Sequence, residues 1–229
     1  MAKKLFSFKY LLSALAIVFA LVLFSCKGED SKVSDEGQIE YETKVVDENH
    51  PLAGLAPSSA TLKFKKDKFI MEMSTMGMFN TMFMVDFTNK TLTQMVKFMD
   101  VKQACIENEK EVLLENSMYK LKIEETNDTK VIAGYKCHKI KVTMVNDPTV
   151  TFDAYYTKEM QVENVNSLSP YVGIKGMLMQ YRLKKMGLEL QFTAKKVKNI
   201  EIPDNTFELP AYYKIVDKAE MQKFFSGLQ

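Results

Sequence analysis

The sequence predicts a mainly β (α+β) fold: a strongly curved antiparallel sheet or incomplete β-barrel with a C-terminal helix. Three observations predict it. Apolar and polar residues alternate with a period of two through most of the chain after residue 37, which is typical of strands with one buried face. Short polar turns separate these segments. One stretch near the C-terminus shows helical periodicity instead.

The first 25 residues differ from the rest of the chain. Three lysines precede residues 10–24, an apolar run that is interrupted only by one serine. Fifteen residues suit the core of a signal peptide and fall short of the roughly 20 that span a bilayer. The interpretation is a lipoprotein signal peptide over residues 1–25.

The residues that end this segment indicate how the protein is attached. Leu23, Ser25 and Cys26 resemble a bacterial lipobox, in which the cysteine thiol is diacylated with palmitate-type chains, the segment before it is removed, and the new amino terminus is usually acylated too. Several acyl chains give stable membrane attachment. We therefore expect lipidation at Cys26, a flexible tether over residues 26–37, and a location at the outer membrane, facing the periplasm or the cell surface. An ordinary signal peptide with a chance cysteine, or an uncleaved anchor, is the alternative.

Residues 38–229 read as a single domain made of short strands joined by turns. A single sheet of this length must curl to cover its apolar face. The alternating segments are 39–45, 62–65, 69–73, 81–87, 91–96, 119–124, 131–145, 150–156, 177–184 and 188–194, with turns predicted at 88–90, 126–128 and 146–148.

A helix is predicted at the C-terminus. Asp217 and Glu220 form a start similar to a capping box. The apolar residues that follow recur at helical spacing, so they form one stripe for packing against the sheet. These residues are Met221, Phe224, Phe225 and Leu228.

The charge balance argues against a nucleic-acid partner. Residues 1–25 carry three lysines and no acidic residue, so the remaining 204 residues have a formal charge of −1 rather than +2. Nucleic-acid-binding domains normally show a basic excess.

We expect a monomer with no cofactor.

Cys105 and Cys137 are the cysteines that remain after Cys26. Outside the cytoplasm two cysteines can oxidise, and strands distant in sequence can be neighbours in a sheet. A disulfide between them and a pair of buried free thiols are both open from the sequence.

Methionines are concentrated in one part of the chain, with eight of the 16 between residues 71 and 99. Flexible methionines can fill an irregular core, line an adaptable apolar pocket, or present thioethers to a soft metal. Interleaved phenylalanines favour the apolar interpretations, so no metal is expected. The candidate cavity-lining residues are Phe69, Met71, Met73, Met82, Met84, Met177, Met179 and Tyr181.

No catalytic set is predicted, and we do not expect an enzyme. The two histidines, His50 and His138, have no metal-binding or nucleophile motif around them. His138 and Cys137 are neighbours on a strand, so their side chains point to opposite faces.

Three segments resemble secreted bacterial proteins of the LolA/LolB-like type, which are related to the GLPGLI family. Thr129–Cys137 resembles their K-x-I-x-G-Y-K-C strand, Gly173–Met179 resembles the GLPGLI motif with Lys175 in place of proline, and Ile202–Pro210 resembles their D-x-x-F-x-L-P ending. The resemblance covers residues 38–216 and implies an incomplete antiparallel β-barrel with an apolar cavity.

These observations together predict an envelope lipoprotein that binds a hydrophobic small molecule, a lipid or an acylated peptide in a Met/Phe-rich cavity. The alternative is a structural or interaction lipoprotein that docks to an envelope partner and holds no ligand. A solid core would favour the alternative, and an open concavity would favour the first interpretation.

Overall fold

The computed structural model of the protein describes residues 34–75, 77, 79–162, 164–185 and 187–227. Twelve strands and two α-helices form this part of the chain, so the predicted mainly β fold with a C-terminal helix is confirmed. The strands are β1 (Glu36–Val45), β2 (Ser59–Lys65), β3 (Lys68–Thr75), β4 (Phe79–Asp86), β5 (Thr91–Phe98), β6 (Val101–Asn108), β7 (Leu121–Ile132), β8 (Tyr135–Met144), β9 (Asp147–Thr157), β10 (Met177–Lys185), β11 (Leu188–Lys198) and β12 (Lys214–Ile215). The helices are α1 (Glu109–Met118) and α2 (Lys218–Ser226), and 3-10 turns span Ala53–Leu55 and Asp204–Phe207.

All twelve strands belong to one sheet, in the order β12-β6-β5-β4-β3-β2-β1-β11-β10-β9-β8-β7. Strands β2 to β6 form one antiparallel meander and β7 to β11 form another, and β1 lies between them. The short β12 pairs in parallel with β6, which makes the sheet mixed rather than purely antiparallel. The sheet ends at β12 and β7 and is not closed into a barrel.

The sheet is strongly curved. In a flat sheet β4 and β10, five positions apart, would be separated by about 24 Å, at about 4.8 Å per strand. Phe83 of β4 and Leu183 of β10 nevertheless line the same cavity. We call the concave side that carries both residues the inner face, and the opposite side the outer face.

The outer face of β3 to β6 is covered by residues 199–217, which we call the strap. Phe207, Leu209 and Tyr213 of the strap pack on Ile70, Met95 and Ala104 of the sheet. The strap then turns past the edge of the sheet, where β12 pairs with β6. The strap therefore shields part of the outer face from solvent. In a sheet with one wet side, that face would be fully exposed.

Helix α2 follows the strap and packs on the inner face. The Asp217 side chain accepts a hydrogen bond from the backbone N–H of Glu220, as the predicted cap requires. Met221 and Phe225 are buried against Phe79 and Val96, so the predicted apolar stripe faces the sheet. Leu228, the last predicted member of the stripe, lies outside the described residues.

The predicted turn at residues 126–128 is wrong. Strand β7 continues through these residues with an irregularity in its pairing to β8 between Glu125 and Thr129. The chain turns instead at Ala133 and Gly134, which have φ values of 50° and 88°. Two residues with positive φ suit the tight turns that join twisted strands. The single extended segment predicted over 131–145 is therefore the end of β7, a turn and β8.

The predicted segments at the N-terminus meet the described residues only at their end. Strand β1 begins at Glu36, two residues inside the predicted tether 26–37. The signal peptide and Cys26 lie outside the described residues, so their assignment stays a prediction. Among the helices that the structure describes, none is both long enough and apolar enough to cross a bilayer.

Candidate functional site

The inner face holds an apolar groove made of two compartments, which we call the inner groove. The first compartment lies among Leu52 and Leu55 of the loop after β1, Met71 and Met73 of β3, and Phe225 of α2. The space between atoms there is about 680 Å³, a value that includes open solvent at the mouth. Strands β10 and β11 close its other side.

The second compartment is bounded by the strands and by the loop between β9 and β10. Tyr41, Phe69 and Tyr181 contribute from strands, and residues 165–171 contribute from the loop. The space between atoms is about 740 Å³, again with its mouth included. The two compartments share the lining residues Met71, Phe83, Leu183 and Lys185, so they lie side by side on the inner face.

Five of the eight candidate cavity-lining residues line this groove. Met71 and Met73 line the first compartment, and Phe69, Met71, Met177 and Tyr181 line the second. Residues two apart on β3 share a face, and the register of the sheet turns that face inward.

Three of the candidates lie elsewhere. Met82 and Met84 sit on the outer face, packed with the strap. The register of β4 explains this, because Phe83 lies opposite Met71 and so takes the inward position. Met179 is fully buried in the main core and lines neither compartment; the pairing of β10 with β9 is irregular at this residue.

Several lining residues were not predicted. Leu52 and Leu55 come from a segment that reads as a loop, and Phe225 reads as an ordinary core residue of a helix. Leu183, Leu188 and Phe192 belong to predicted strands with inward apolar positions, and this alternation was the signal that could have added them.

An aromatic cluster forms one wall of the groove. The Tyr181 ring stacks on Phe192 with 4.9 Å between ring centroids, and Tyr41 and Tyr171 each approach it edge-on at 6.0 Å. The Tyr41 hydroxyl donates to the Leu178 carbonyl at 2.7 Å, and the Tyr171 hydroxyl donates to the Arg182 carbonyl at 2.7 Å. Burial raises the pKa of the Tyr41 and Tyr181 hydroxyls well above the ordinary value, so both stay protonated.

Charged side chains form a chain of ion pairs beside the groove. Lys185, which lines both compartments, lies 2.6 Å from Glu115 of α1, and Glu115 lies 2.8 Å from Lys218 of α2. Lys218 also pairs with Glu107, which is only 2% exposed. These pairs tie α1 and α2 to the strands on either side of the groove.

The pKa values of two groups in these ion pairs are shifted. Burial opposes ionisation of Glu115, but Lys185 and Lys218 outweigh it and hold the pKa of this carboxyl below its ordinary value. Burial also opposes the charge of Lys218, but its hydrogen bonds to Glu107 and Glu115 raise its pKa. Both groups are therefore charged at neutral pH.

Cys105 and Cys137 are free and buried. They lie on β6 and β8, which are nine positions apart in the sheet, and belong to separate core clusters. Burial raises the pKa of the Cys137 thiol to about 11, which makes it a poor nucleophile at neutral pH.

The histidines lie apart from the groove lining. His50 Nδ1 accepts a hydrogen bond from the Leu52 backbone N–H at 3.1 Å, and the His138 ring lies 5.5 Å from the ring of Tyr156. In the described part of the chain, no group of three or more His, Cys, Asp or Glu residues is placed to hold a metal ion. The groove is lined mainly by apolar side chains, with a few polar groups among them.

Comparisons with known proteins give a family and a fold. The family model "N-glycanase peptide, N-terminal domain" matches residues 40–218. Two crystal forms of PNGF-II superpose with a TM-score of 0.51: one is 15% identical and covers 85% of this chain and 34% of its own, and the other is 16% identical and covers 83% and 32%. The chain thus spans about a third of the length of these structures. No curated protein matches it significantly.

The Pseudomonas aeruginosa MucA/MucB complex is a weaker structural match. It is 10% identical, with 82% of this chain and 60% of the other covered, and its TM-score is 0.35. A score this low carries no argument about fold or partners.

The predicted resemblance to LolA/LolB-like and GLPGLI proteins is wrong. The family match assigns residues 40–218 elsewhere, and the PNGF-II structures match this fold with a TM-score of 0.51. Neither match adds support for a LolA-like lipoprotein. The three short segments that suggested the resemblance are strand, turn and strap sequences.

Proposed function

We propose a binding function for this chain, which belongs to the N-glycanase peptide, N-terminal domain family. The inner groove takes up an apolar ligand, such as a lipid or an acylated peptide. The proposal concerns this domain only, because the chain spans about a third of the PNGF-II structures that it matches.

The observation that carries the proposal is the pair of neighbouring apolar compartments on the inner face. Met71, Phe83 and Leu183 line both, so the two compartments adjoin and their shared boundary is apolar. Concave sites with mostly apolar walls and a few polar groups are where small molecules bind.

Packing energetics support the same function. Protein interiors are close-packed, and an unfilled apolar space forfeits contacts and lowers stability. Methionines at 71 and 73 could close such a space by changing rotamer, since their side chains are long and flexible. A ligand that restores these contacts stabilises the folded state.

Binding of a fluorescent apolar probe, N-phenyl-1-naphthylamine, tests the proposal. The protein is purified from cells that express the full chain. Leu183→Trp fills the region shared by the two compartments and should weaken binding about tenfold or more, which is about 1.4 kcal/mol.

Val131→Trp is the matched control, because Val131 is 71% exposed on the edge strand β7 and lies outside the groove. It should bind the probe as the wild type does. Unfolding in urea checks that both variants fold. If Leu183→Trp does not fold, Leu188→Trp, which fills the first compartment alone, takes its place.

Absence of probe binding by the wild type, or equal binding by the groove and control variants, would contradict the proposal. That result would favour the second candidate, an interaction protein without a ligand. One observation supports this alternative: α1 exposes Leu114 and Met118, one turn apart, at 70% and 69%.

A further inference from the structure

Tyr181 is the one aromatic residue of the groove wall whose hydroxyl has no partner within the described part of the protein. The hydroxyls of Tyr41 and Tyr171 both donate to backbone carbonyls. Tyr181 is only 6% exposed, yet its hydroxyl makes no hydrogen bond to the described residues around it, unlike the hydroxyls of the neighbouring tyrosines. Buried polar groups normally find a partner, so this hydroxyl requires an explanation.

The Tyr181 side chain lines the second compartment of the groove. Among the described residues, Gln103 Oε1 is the fully enclosed side-chain polar atom without a hydrogen bond. The Tyr181 oxygen, which also lacks a hydrogen bond there, is not such an atom, so it is not fully enclosed.

Its position is fixed by packing. Phe192 stacks on one side of the Tyr181 ring with an interplanar angle of 8°, and Tyr41 and Tyr171 hold it edge-on at 89° and 82°. A side chain held in this way loses little freedom when its hydroxyl meets a ligand.

The chemistry of the surroundings selects the ligand group. Burial keeps the Tyr181 hydroxyl protonated, so it serves as a donor and calls for an acceptor. Lys185, the cation that lines the compartment, is already paired with Glu115 at 2.6 Å. A free carboxylate would find no uncompensated positive charge there, whereas a neutral carbonyl needs none.

We propose that the second compartment binds a neutral acyl carbonyl, as in a fatty-acyl ester, through a hydrogen bond from the Tyr181 hydroxyl, with the hydrocarbon chain along the apolar walls. This inference rests on the proposed function of the inner groove and names the ligand class. It makes Tyr181 the residue that distinguishes an acyl ester from a plain hydrocarbon.

Competition against N-phenyl-1-naphthylamine measures the distinction. The competitors are methyl laurate, laurate and tridecane, and the protein is purified from cells that express the full chain. The wild type should bind methyl laurate about tenfold more tightly than either of the other two. Tyr181→Phe removes only the hydroxyl and should reduce the affinity for methyl laurate about tenfold, with the affinity for tridecane unchanged.

Tyr119→Phe is the matched control. Tyr119 is also buried, but its hydroxyl donates to Glu189 at 2.8 Å and it lies outside both compartments. This variant should lose stability and keep the preference for the ester. Tyr181→Phe should lose the preference and keep its stability, because no hydrogen bond within the described protein is broken.

The outcomes separate the two proposals. If no competitor and no probe binds, the groove itself is not a ligand site. If probe and tridecane bind but the ester has no advantage, or if Tyr181→Phe leaves that advantage intact, the groove binds ligands and the role of Tyr181 is wrong. Tighter binding of laurate than of its methyl ester would likewise overturn the neutral-carbonyl assignment.

Discussion

At the scale of single residues, Gly176 shows why the segment Gly173–Met179 contains a glycine at this position. This glycine precedes β10 and has a φ of 148°, which L-residues with side chains rarely adopt. A Cβ added there would lie 2.3 Å from the Thr157 carbonyl oxygen. The backbone of β9 therefore approaches Gly176 too closely for any other residue. The sequence showed a glycine-rich motif here, and packing rather than family membership accounts for it.

The ion pairs of Glu115 predict a stability that depends on pH. Glu115→Gln keeps the shape of the side chain but removes the charge that Lys185 and Lys218 contact at 2.6 and 2.8 Å. We expect a loss of about 1–3 kcal/mol in the free energy of unfolding at pH 7, as for hydrogen bonds to charged groups. Urea unfolding measures it.

The pH dependence follows from the lowered pKa of Glu115. A carboxyl with a lowered folded-state pKa stabilises the fold above its ordinary pKa of about 4.3, and this stabilisation disappears as the pH falls through the lowered value. The difference between wild type and Glu115→Gln should therefore be constant near neutral pH and narrow below about pH 4.3. Glu109→Gln, which breaks the exposed pair with Lys90, is the control and should change stability little at any pH. A difference between wild type and Glu115→Gln that stays constant into acid would contradict this assignment.

At the scale of elements, α1 is the helix that the sequence did not predict. Its residues show no apolar stripe: Val112 is buried, whereas Leu113 and Leu114 beside it are exposed. Periodicity therefore gave no signal. The helix start did contain one, because Asn108 and Glu111 form a capping box in which each side chain accepts a hydrogen bond from the other residue's backbone N–H.

The capping box makes a prediction about α1. Asn108→Ala should lower the free energy of unfolding by about 1 kcal/mol, because the N–H of Glu111 loses its acceptor. Lys110→Ala in the same turn is the control and should be neutral, since Lys110 is exposed and alanine favours helices. Urea unfolding compares the two variants. Equal effects of the two substitutions would contradict the role of the cap.

Strands were easier to predict than the faces that they present. The alternation of apolar residues located β1 to β5 and β8 to β11 to within a few residues. On β4, however, both positions of the alternation are apolar, and only pairing with β3 decides that Phe83 faces inward and Met82 and Met84 face outward. Pairing depends on contacts between distant segments, so a local pattern could not assign these methionines to a face.

At the scale of the whole molecule, the curved sheet and the C-terminal helix followed from patterning, and the strap did not. The strap has little regular structure beyond a 3-10 turn and the two residues of β12, so it carries no periodic signal. Its effect is large, because Phe207, Leu209 and Tyr213 bury the outer face of four strands. Three short motifs predicted the wrong family, whereas the family match extends over residues 40–218.

Attachment to a membrane stays a prediction of the sequence and concerns residues outside the described part of the chain. Cys26→Ser removes the thiol that acylation requires, so it should abolish incorporation of a clickable fatty acid and release the protein from the membrane fraction. Gel fluorescence of labelled cells measures this. Ser25→Ala, which keeps a small residue before the cysteine, is the control and should label normally. Equal labelling of the Cys26→Ser variant and the wild type would contradict lipidation at this residue.

Because the sheet does not close, it leaves two edges with backbone groups that another copy of the chain could pair with. Each edge resists that association in its own way. Strand β7 carries Lys122 and Glu124 as an exposed ion pair, and its pairing register is irregular between Glu125 and Thr129. Strand β12 has only two residues before α2 begins. Neither β7 nor β12 offers a long, flat and uncharged template, so both terminal strands of this open sheet carry features that disfavour edge-to-edge association.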